Sequence, residues 1–236
     1  MEVNAAEELA TASRVLAAQG VFDSAGHVSM RHPGRADRFL MSRSLAPALV
    51  TAGDIMEFTL ESEAVDGHPS TSLGAGKPFL ERYLHGEIYR KRSDVMAIAH
   101  GHAASLVPFG LVEHPLRAMN HNAAFIAAGV PVFDIRDRFG DTDIVVSTAE
   151  RGAALADALD DKSVVLLRAH GFVAVGMSLQ VAVFRAIYSE VNARVQLQAE
   201  ALGGPIAALS EEEGRKADAL NIGSAARSWE LWKRQA

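Results

Sequence analysis

The stretch VMAIAHGHA (residues 95–103) joins a short apolar run to two histidines, His100 and His102. Such an apolar run predicts a buried strand. Residues i and i+2 of a strand point to the same face, so both imidazoles are expected to reach one cation. A second apolar run, VVLLRA (164–169), leads into His170. Histidines from two strands predict a metal site with coordination positions left open for a substrate, as in catalytic centres.

Helix-like and strand-like patterns interleave along the rest of the chain. Apolar spacing and caps predict helices at 3–19, 78–92, 148–159, 178–202 and 210–236, with another beginning near 103–110. Shorter apolar runs predict strands around 27–31, 38–42, 54–60, 95–100, 129–135, 163–171 and 172–176. The Gly- and Ser-rich segment 62–78 predicts a loop or hairpin. This order favours a layered α/β/α domain with a central mixed sheet over 1–236, with a helical tail at 200–236.

Composition narrows the class of ligand. The chain has 236 residues, 49% of them hydrophobic, which suits one sizeable domain. It has no Cys, which excludes disulfides and thiolate metal ligands, and a net charge of −6, which argues against nucleic acid as a partner. The first residues lack a basic segment before an apolar core, and no apolar run approaches the ~20 residues of a membrane span. We therefore expect a cytoplasmic protein that acts on a small molecule, without a membrane partner.

Other polar residues are candidates for the same site, each with a structural alternative. Glu81 precedes the HGH strand on a predicted helix and suits acid–base chemistry or metal ligation, although such a Glu often faces solvent. His85, one turn later, could pair with Glu81 or bury against the sheet. Arg43 suits carboxylate recognition or an ordinary surface role. His27 suits a ligand contact or a capping role, and the MNHN cluster (119–122) suits a helix cap or a substrate loop.

Taken together, these segments resemble the class II aldolase/adducin family. The similar pieces are GHVSMR (26–31), FLMSRS (39–44), ERYLHGEIYRKRSDVMAIAHGHA (81–103), LLRAHGFVAVG (166–176) and SLQVAVFRAIYSEVNARVQ (178–196). The resemblance implies a three-layer α/β/α fold, a homotetramer with active sites between subunits, metal ligation by His100, His102 and His170, and catalysis by Glu81.

The pieces that bind phosphate in the sugar-phosphate aldolases of this family differ here. Gly26-His27, Ser44-Leu45 and Phe79-Leu80 stand at those positions, and they leave too few converging donors for a phosphate dianion. The strings GHVSMRHP, MSRS and HGHAASLVPFG instead resemble the decarboxylase branch. That branch implies an Mn²⁺ or Zn²⁺ carboxy-lyase of a hydroxylated aromatic or pyridine dicarboxylate, such as 3,4-dihydroxyphthalate or the 3-hydroxy-2-methylpyridine-4,5-dicarboxylate of vitamin B6 breakdown.

Within that interpretation, four residues are assigned to the substrate. Arg43 and His27 would bind its second carboxylate, Ser42 lies beside Arg43 in the MSRS motif, and Phe79 would provide an apolar wall for a flat ring. Three alternatives stay open. They are a class II aldolase or epimerase of an unusual hydroxy-carbonyl substrate, a non-haem iron oxygenase of an aromatic acid, and a non-catalytic adducin-like interaction domain, in which the histidine set would not be required.

Overall fold

One sheet runs through the centre of the protein. A computed structural model describes residues 2–65 and 76–236, and side chains from residue 5 onward. The strands are β1 (His27–Arg31), β2 (Arg38–Ser42), β3 (Ile55–Thr59), β4 (Ala97–Gly101), β5 (Val132–Phe133), β6 (Val164–Leu167) and β7 (Gly171–Gly176). Their spatial order is β3-β2-β1-β4-β7-β6-β5. Among the described strands only β5 and β6 pair in parallel, which confirms the predicted mixed sheet.

The helices precede, separate and follow these strands along the chain. They are α1 (Glu2–Ala18), α2 (Arg82–Lys91), α3 (Arg136–Phe139), α4 (Ala149–Leu159), α5 (Leu179–Leu202) and α6 (Glu211–Trp232). Thr148 and Ser178 accept hydrogen bonds from the first turns of α4 and α5, as predicted for N-caps. Ser210 caps α6 in a capping box with Glu213, so each of these three starts is encoded by a local side chain.

Two apolar cores lie on opposite faces of the sheet. In β4, Ala97 and Ala99 pack into the core covered by α1, α5 and α6, whereas Ile98 packs into the core covered by α2 and α4. The period-2 alternation of a strand divides its side chains in this way. Because helices cover both faces, β4, β6 and β7 are buried along their whole length. The predicted three-layer α/β/α fold is thereby confirmed.

The C-terminal helix belongs to the first of these layers. Trp229 and Trp232 of α6 are buried in the same core as α1 and α5, and the Trp232 ring lies 6.4 Å from that of Phe184. Asn221 donates to the carbonyl of His121, at the start of a 3-10 helix. The tail is therefore helical as predicted and packs against the domain.

Several predicted boundaries differ from the structure. The helix predicted from residue 78 begins at Arg82, because Pro78 pairs with Arg43 in an isolated β-bridge. Residues 103–110 form only a short 3-10 helix, Val107–Gly110, with Pro108 in its first turn. The strand predicted at 129–135 has just two paired residues.

The structure describes only part of the segment 62–78, which the sequence predicted as a loop or hairpin. Ala64 forms an isolated bridge with Phe58, which gives the first part of a hairpin. Residues 66–75 lie outside the described residues. Within the described part of the chain, no helix is long and apolar enough to cross a membrane.

Candidate active site

The side chains of His100, His102, His170 and Glu81 meet at one end of the central strands. His100 is in β4 and His102 follows the last residue of that strand, while His170 is in the turn between β6 and β7. Glu81 is the N-cap residue of α2, so it lies immediately before the helix. The sequence had predicted it within the helix. One potential ligand atom from each of the four lies within 4.8 Å of the others.

Close backbone packing brings the two histidine-bearing segments together. A Cβ at Gly171 would collide with the carbonyl of Gly101, so only glycine allows β7 to approach the end of β4 this closely. Ala169 adopts a left-handed conformation with φ of 56° in the tight turn that presents His170. Gly171 is the first residue of β7, whereas the sequence placed it at the end of the predicted strand 163–171.

Backbone carbonyls fix the orientation of two of the histidine rings. Nδ1 of His100 lies 2.9 Å from the carbonyl oxygen of Phe172, and Nδ1 of His170 lies 3.0 Å from that of Ile144. A carbonyl can only accept, so both Nδ1 atoms carry hydrogen and donate. In the neutral rings, each Nε2 therefore has a free lone pair directed into the cluster.

The third ring is held by a carboxylate. Nδ1 of His102 lies 3.2 Å from each carboxylate oxygen of Asp23. Partial burial opposes the ionisation of Asp23, but the N–H of Ala25 and the His102 ring lower its pKa overall. A carboxylate behind a metal-binding histidine fixes its tautomer and raises its basicity.

The donor set fits a divalent cation. The Nε2 atoms of His100 and His102 are buried and have no hydrogen-bond partner in the described residues. A buried nitrogen lone pair without a partner is costly unless a proton or metal occupies it. Three neutral imidazoles and a carboxylate suit several first-row divalent metals, Zn²⁺ and Mn²⁺ among them.

Glu81 is central to the electrostatics of this cluster. Its Oε2 lies 3.3 Å from Nε2 of His100 and 3.6 Å from Nε2 of His170. Its Oε1 accepts a 3.1 Å hydrogen bond from the backbone N–H of Val146. Burial opposes the charge, but the imidazoles of His100 and His27 hold the pKa of Glu81 below its usual range. Glu81 is therefore a carboxylate at neutral pH.

Behind Glu81 lies a buried chain of polar side chains. Nε2 of His27 is 3.9 Å from Oε2 of Glu81, and Nδ1 of His27 is 2.8 Å from Nε2 of His85. Nδ1 of His85 is 2.6 Å from Oγ of Ser29, which is 2.8 Å from the hydroxyl of Tyr89. His85 is thus buried against the sheet without a direct bond to Glu81. Burial lowers the pKa of His27 to about 4 and raises the pKa of the Tyr89 hydroxyl above its ordinary value.

A pocket of about 380 Å³ opens onto the cluster. Its polar floor contains Glu81, His102 and His170, and no Lys or Arg is present among the described lining residues. The remaining described wall is small or apolar and consists of Ser24, Ala25, Ser44, Leu45, Ala46, Phe79, Leu80 and Val145. The pocket therefore has the polarity expected of a site for a flat, largely apolar ring.

The residues that the sequence assigned to the substrate occupy different places. Phe79 lines the pocket, and its ring lies 4.6 Å from that of His27. His27 is buried behind Glu81. Nε of Arg43 donates to Asp54 at 2.7 Å, and Arg43 is not among the described lining residues. Ser42 is buried at the end of β2 and does not line the described pocket either.

Other histidines and the MNHN cluster lie away from the site. Asn120 accepts hydrogen bonds from the backbone N–H groups of Asn122 and Ala123, so it caps the 3-10 helix that begins at His121. His114 pairs with Glu200 near the surface. His68 lies outside the described residues.

Sequence reasoning missed the groups that hold the candidate ligands. Asp23, the carbonyl of Ile144 and the N–H of Val146 carry no pattern that sets them apart in the sequence. Ser29 and Tyr89 read simply as strand and helix residues. Tyr89 follows Ser29 by 60 residues, and His102 follows Asp23 by 79 residues. Only the fold brings the members of each pair together.

Comparison with known proteins assigns the family. The family model for the class II aldolase and adducin N-terminal domain matches residues 7–197, and the chain belongs to this family. The chain is 36% identical to the decarboxylase tropJ of Talaromyces stipitatus, over 91% of this chain and 87% of that protein. It is 33% identical to a 3,4-dihydroxyphthalate decarboxylase of Terrabacter, over 87% of this chain and 85% of that protein.

Solved structures share the fold. An L-fuculose 1-phosphate aldolase from Glaciozyma antarctica superposes with a TM-score of 0.79 at 22% identity, covering 99% of this chain and 90% of that one. An aldolase II superfamily protein from Pseudomonas syringae gives a TM-score of 0.80 at 24% identity, covering 99% and 92%. The family and its decarboxylase relatives support a lyase of the decarboxylase or aldolase type that acts on a small molecule.

Proposed function

We propose that this protein is a divalent-metal-dependent decarboxylase of a hydroxylated aromatic or pyridine dicarboxylate. The observation that carries the proposal is the combination of the histidine trio and Glu81 with a described pocket wall that is largely apolar. The ring of such a substrate would pack against Leu45, Phe79 and Leu80. The decarboxylase names of the relatives support the same reaction class.

His100, His102 and His170 would hold the cation, which is proposed to be Mn²⁺ or Zn²⁺. When bound, it would stabilise the negative charge that develops on the substrate hydroxyl oxygen. The protein supplies the orientation of the ligands, because each Nδ1 is already engaged by a carbonyl or carboxylate.

Glu81 would move the proton. As a carboxylate it accepts the proton of the substrate hydroxyl next to the scissile carboxylate, and it then delivers this proton to the ring carbon that bears that carboxylate. The carbon–carbon bond to CO₂ breaks, and its electron pair returns through the ring to the oxygen. Overall, one proton replaces CO₂, and solvent reprotonates the hydroxyl of the product.

Phe79 would bound the ring plane, and Arg43 is proposed to bind the second carboxylate. Arg43 adjoins Ser44 of the pocket wall, and Asp54 anchors its Nε. Arg43→Ala is expected to raise KM with little change in kcat. An unchanged KM would restrict Arg43 to its ion pair with Asp54.

The deciding experiment measures CO₂ release by metal-stripped enzyme that is reloaded separately with Mn²⁺, Zn²⁺ and Fe²⁺. The substrates are 3,4-dihydroxyphthalate and 3-hydroxy-2-methylpyridine-4,5-dicarboxylate, with and without O₂, and with a chelator control. Metal-dependent CO₂ release without O₂ supports the proposal. No CO₂ from either acid would contradict it, an aldehyde product would favour aldol cleavage, and an O₂ requirement with Fe²⁺ would favour an oxygenase.

We also propose a homotetramer. The pocket edge includes Leu80, whose side chain is 68% exposed, and Leu111 and Val112 are 55% and 59% exposed. Apolar side chains at these levels of exposure are expected where a neighbouring subunit packs. Light scattering after size exclusion should give about four times the 25.2 kDa of one chain. A monomeric mass would contradict this assembly.

A further inference from the structure

Four histidine rings surround the cluster, although only three belong to the ligand set. The ring centroids of His27, His102 and His170 all lie 5.0 Å from that of His100. Nε2 of His27 is buried, and like those of His100 and His102 it has no hydrogen-bond partner in the described residues. The distance to the His100 ring and the burial of Nε2 therefore do not separate His27 from the ligands.

The partner of Nδ1 does separate them. In His100, His102 and His170, Nδ1 faces a carbonyl or carboxylate oxygen, which requires Nδ1–H. Nδ1 of His27 faces Nε2 of His85, which can either donate or accept. The direction of this one hydrogen bond decides whether Nε2 of His27 carries a lone pair or a proton.

The two ends of the buried chain set that direction. At one end, the hydroxyl of Tyr89 has Ser29 as its only partner in the described part of the chain. It must donate to Ser29, because a buried O–H group without an acceptor is destabilising. Ser29 then donates to Nδ1 of His85, and Nε2–H of His85 donates to Nδ1 of His27.

At the other end stands the carboxylate of Glu81, 3.9 Å from Nε2 of His27. A lone pair on Nε2 would face this negative charge, whereas an N–H would be attracted to it. The contact is longer than a hydrogen bond, and such catalytic contacts tighten once ligands are bound. Both ends thus favour the same order of donors.

We propose that the chain Tyr89–Ser29–His85 locks His27 as an Nε2–H donor to Glu81, which excludes His27 from metal ligation and makes His85 a positioning residue. Glu81 then has one fixed donor behind it while its other face exchanges a proton with substrate. The kinetic consequence rests on the proposed decarboxylation, but the tautomer of His27 does not.

Long-range ¹H–¹⁵N NMR of the metal-free protein at neutral pH tests the tautomer directly. We expect Nε2–H tautomers for His27 and His85. Spectra of His27→Gln and His85→Gln assign the two signals. Nδ1–H on His27, or protons on both of its ring nitrogens, would overturn the proposal whether or not the enzyme releases CO₂.

Substitutions at His85 test the kinetic consequence of the proposed His27 tautomer. His85→Met leaves Nδ1 of His27 without a donor and is expected to lower kcat about 10–100-fold with little change in KM or in Zn²⁺ affinity. His85→Gln can still donate an amide N–H to His27 and should recover most of the rate. Equal loss in the Met and Gln variants, with normal metal content, would overturn the positioning role.

A packing control guards against a merely structural effect. Phe58 lies in the same apolar core as Tyr89, and the centroid of its ring is 5.2 Å from that of Phe39. Phe58 does not belong to the polar chain. Phe58→Leu should lower the melting temperature through lost packing while keeping the His27 tautomer and kcat. A fall in kcat with Phe58→Leu as large as that with His85→Met would likewise contradict the proposal.

Discussion

The backbone N–H of Val146 donates a 3.1 Å hydrogen bond to Oε1 of Glu81. Two residues earlier, Ile144 adopts a left-handed conformation with φ of 57°, and its carbonyl accepts the Nδ1–H of His170. This conformation is unfavourable for a β-branched residue. The segment 143–147 therefore orients the catalytic candidate and one ligand candidate together.

Arg151 anchors the segment 143–147, and its removal should weaken the hydrogen bonds of this segment to Glu81 and His170. Its Nη1 donates to the carbonyl of Val145 at 2.8 Å and to Asp143 at 2.7 Å. We expect Arg151→Met to lower Zn²⁺ affinity about 10–100-fold, measured by calorimetry, and to lower kcat as well. Arg138→Met is the matched control, because Arg138 makes an exposed pair with Asp157. Equal effects of the two substitutions would refute the role of the segment.

Asp23 should control metal affinity more than turnover. Asp23→Ala removes the carboxylate that fixes the His102 tautomer, so the affinity for Zn²⁺ should fall about 10–100-fold in a chelator competition assay. At saturating metal, kcat should stay near that of the unmodified enzyme. Asp37→Ala, at an exposed pair with Arg38, is the control and should change neither value. An unaltered affinity in Asp23→Ala would show that His102 needs no carboxylate partner.

Glu81→Gln should separate binding from chemistry. The amide keeps the shape of the side chain but cannot take up a proton, so kcat should fall about 10²–10⁴-fold. Metal content, measured by elemental analysis, should be retained because the three histidines remain. Glu87→Gln on the same helix, where Glu87 pairs with Arg90, should leave kcat unchanged. Near-normal turnover in Glu81→Gln would remove Glu81 from the mechanism.

The metal-free protein should lose stability in mild acid. Burial, with a smaller contribution from nearby His100, lowers the pKa of both His27 and His170 to about 4. Between about pH 6.5 and pH 4 the unfolded chain binds more protons than the folded one. The free energy of unfolding should therefore decrease as pH falls through this window, by on the order of 3 kcal/mol for each histidine.

Urea denaturation across that pH range measures the effect. His27→Gln should flatten the pH dependence, because one of the histidines with a lowered pKa is gone. Bound Zn²⁺ should steepen it, since protons compete with the metal for the imidazoles. A free energy of unfolding that is flat from pH 6.5 to 4 would contradict the neutral, buried state of these rings.

Local signals predicted most of the secondary structure. The caps Thr148 and Ser178 start α4 and α5 because each side chain satisfies an N–H group a few residues away. Prediction was weakest where partners decide the backbone. Residues 129–135 pair over only two positions, and Pro78 is held outside α2 by its bridge to Arg43.

The sequence by itself indicated the layered α/β fold and the three histidines of the cluster, because apolar periodicity and histidines at the ends of apolar runs are local properties. Glu81 was assigned to the cluster through the family resemblance. Only the tertiary structure decided which nitrogen of each imidazole is available. That choice depends on groups remote in the chain, such as Asp23 for His102 and His85 for His27. A tautomer is set by what faces the ring in three dimensions, and no local pattern of residues encodes it.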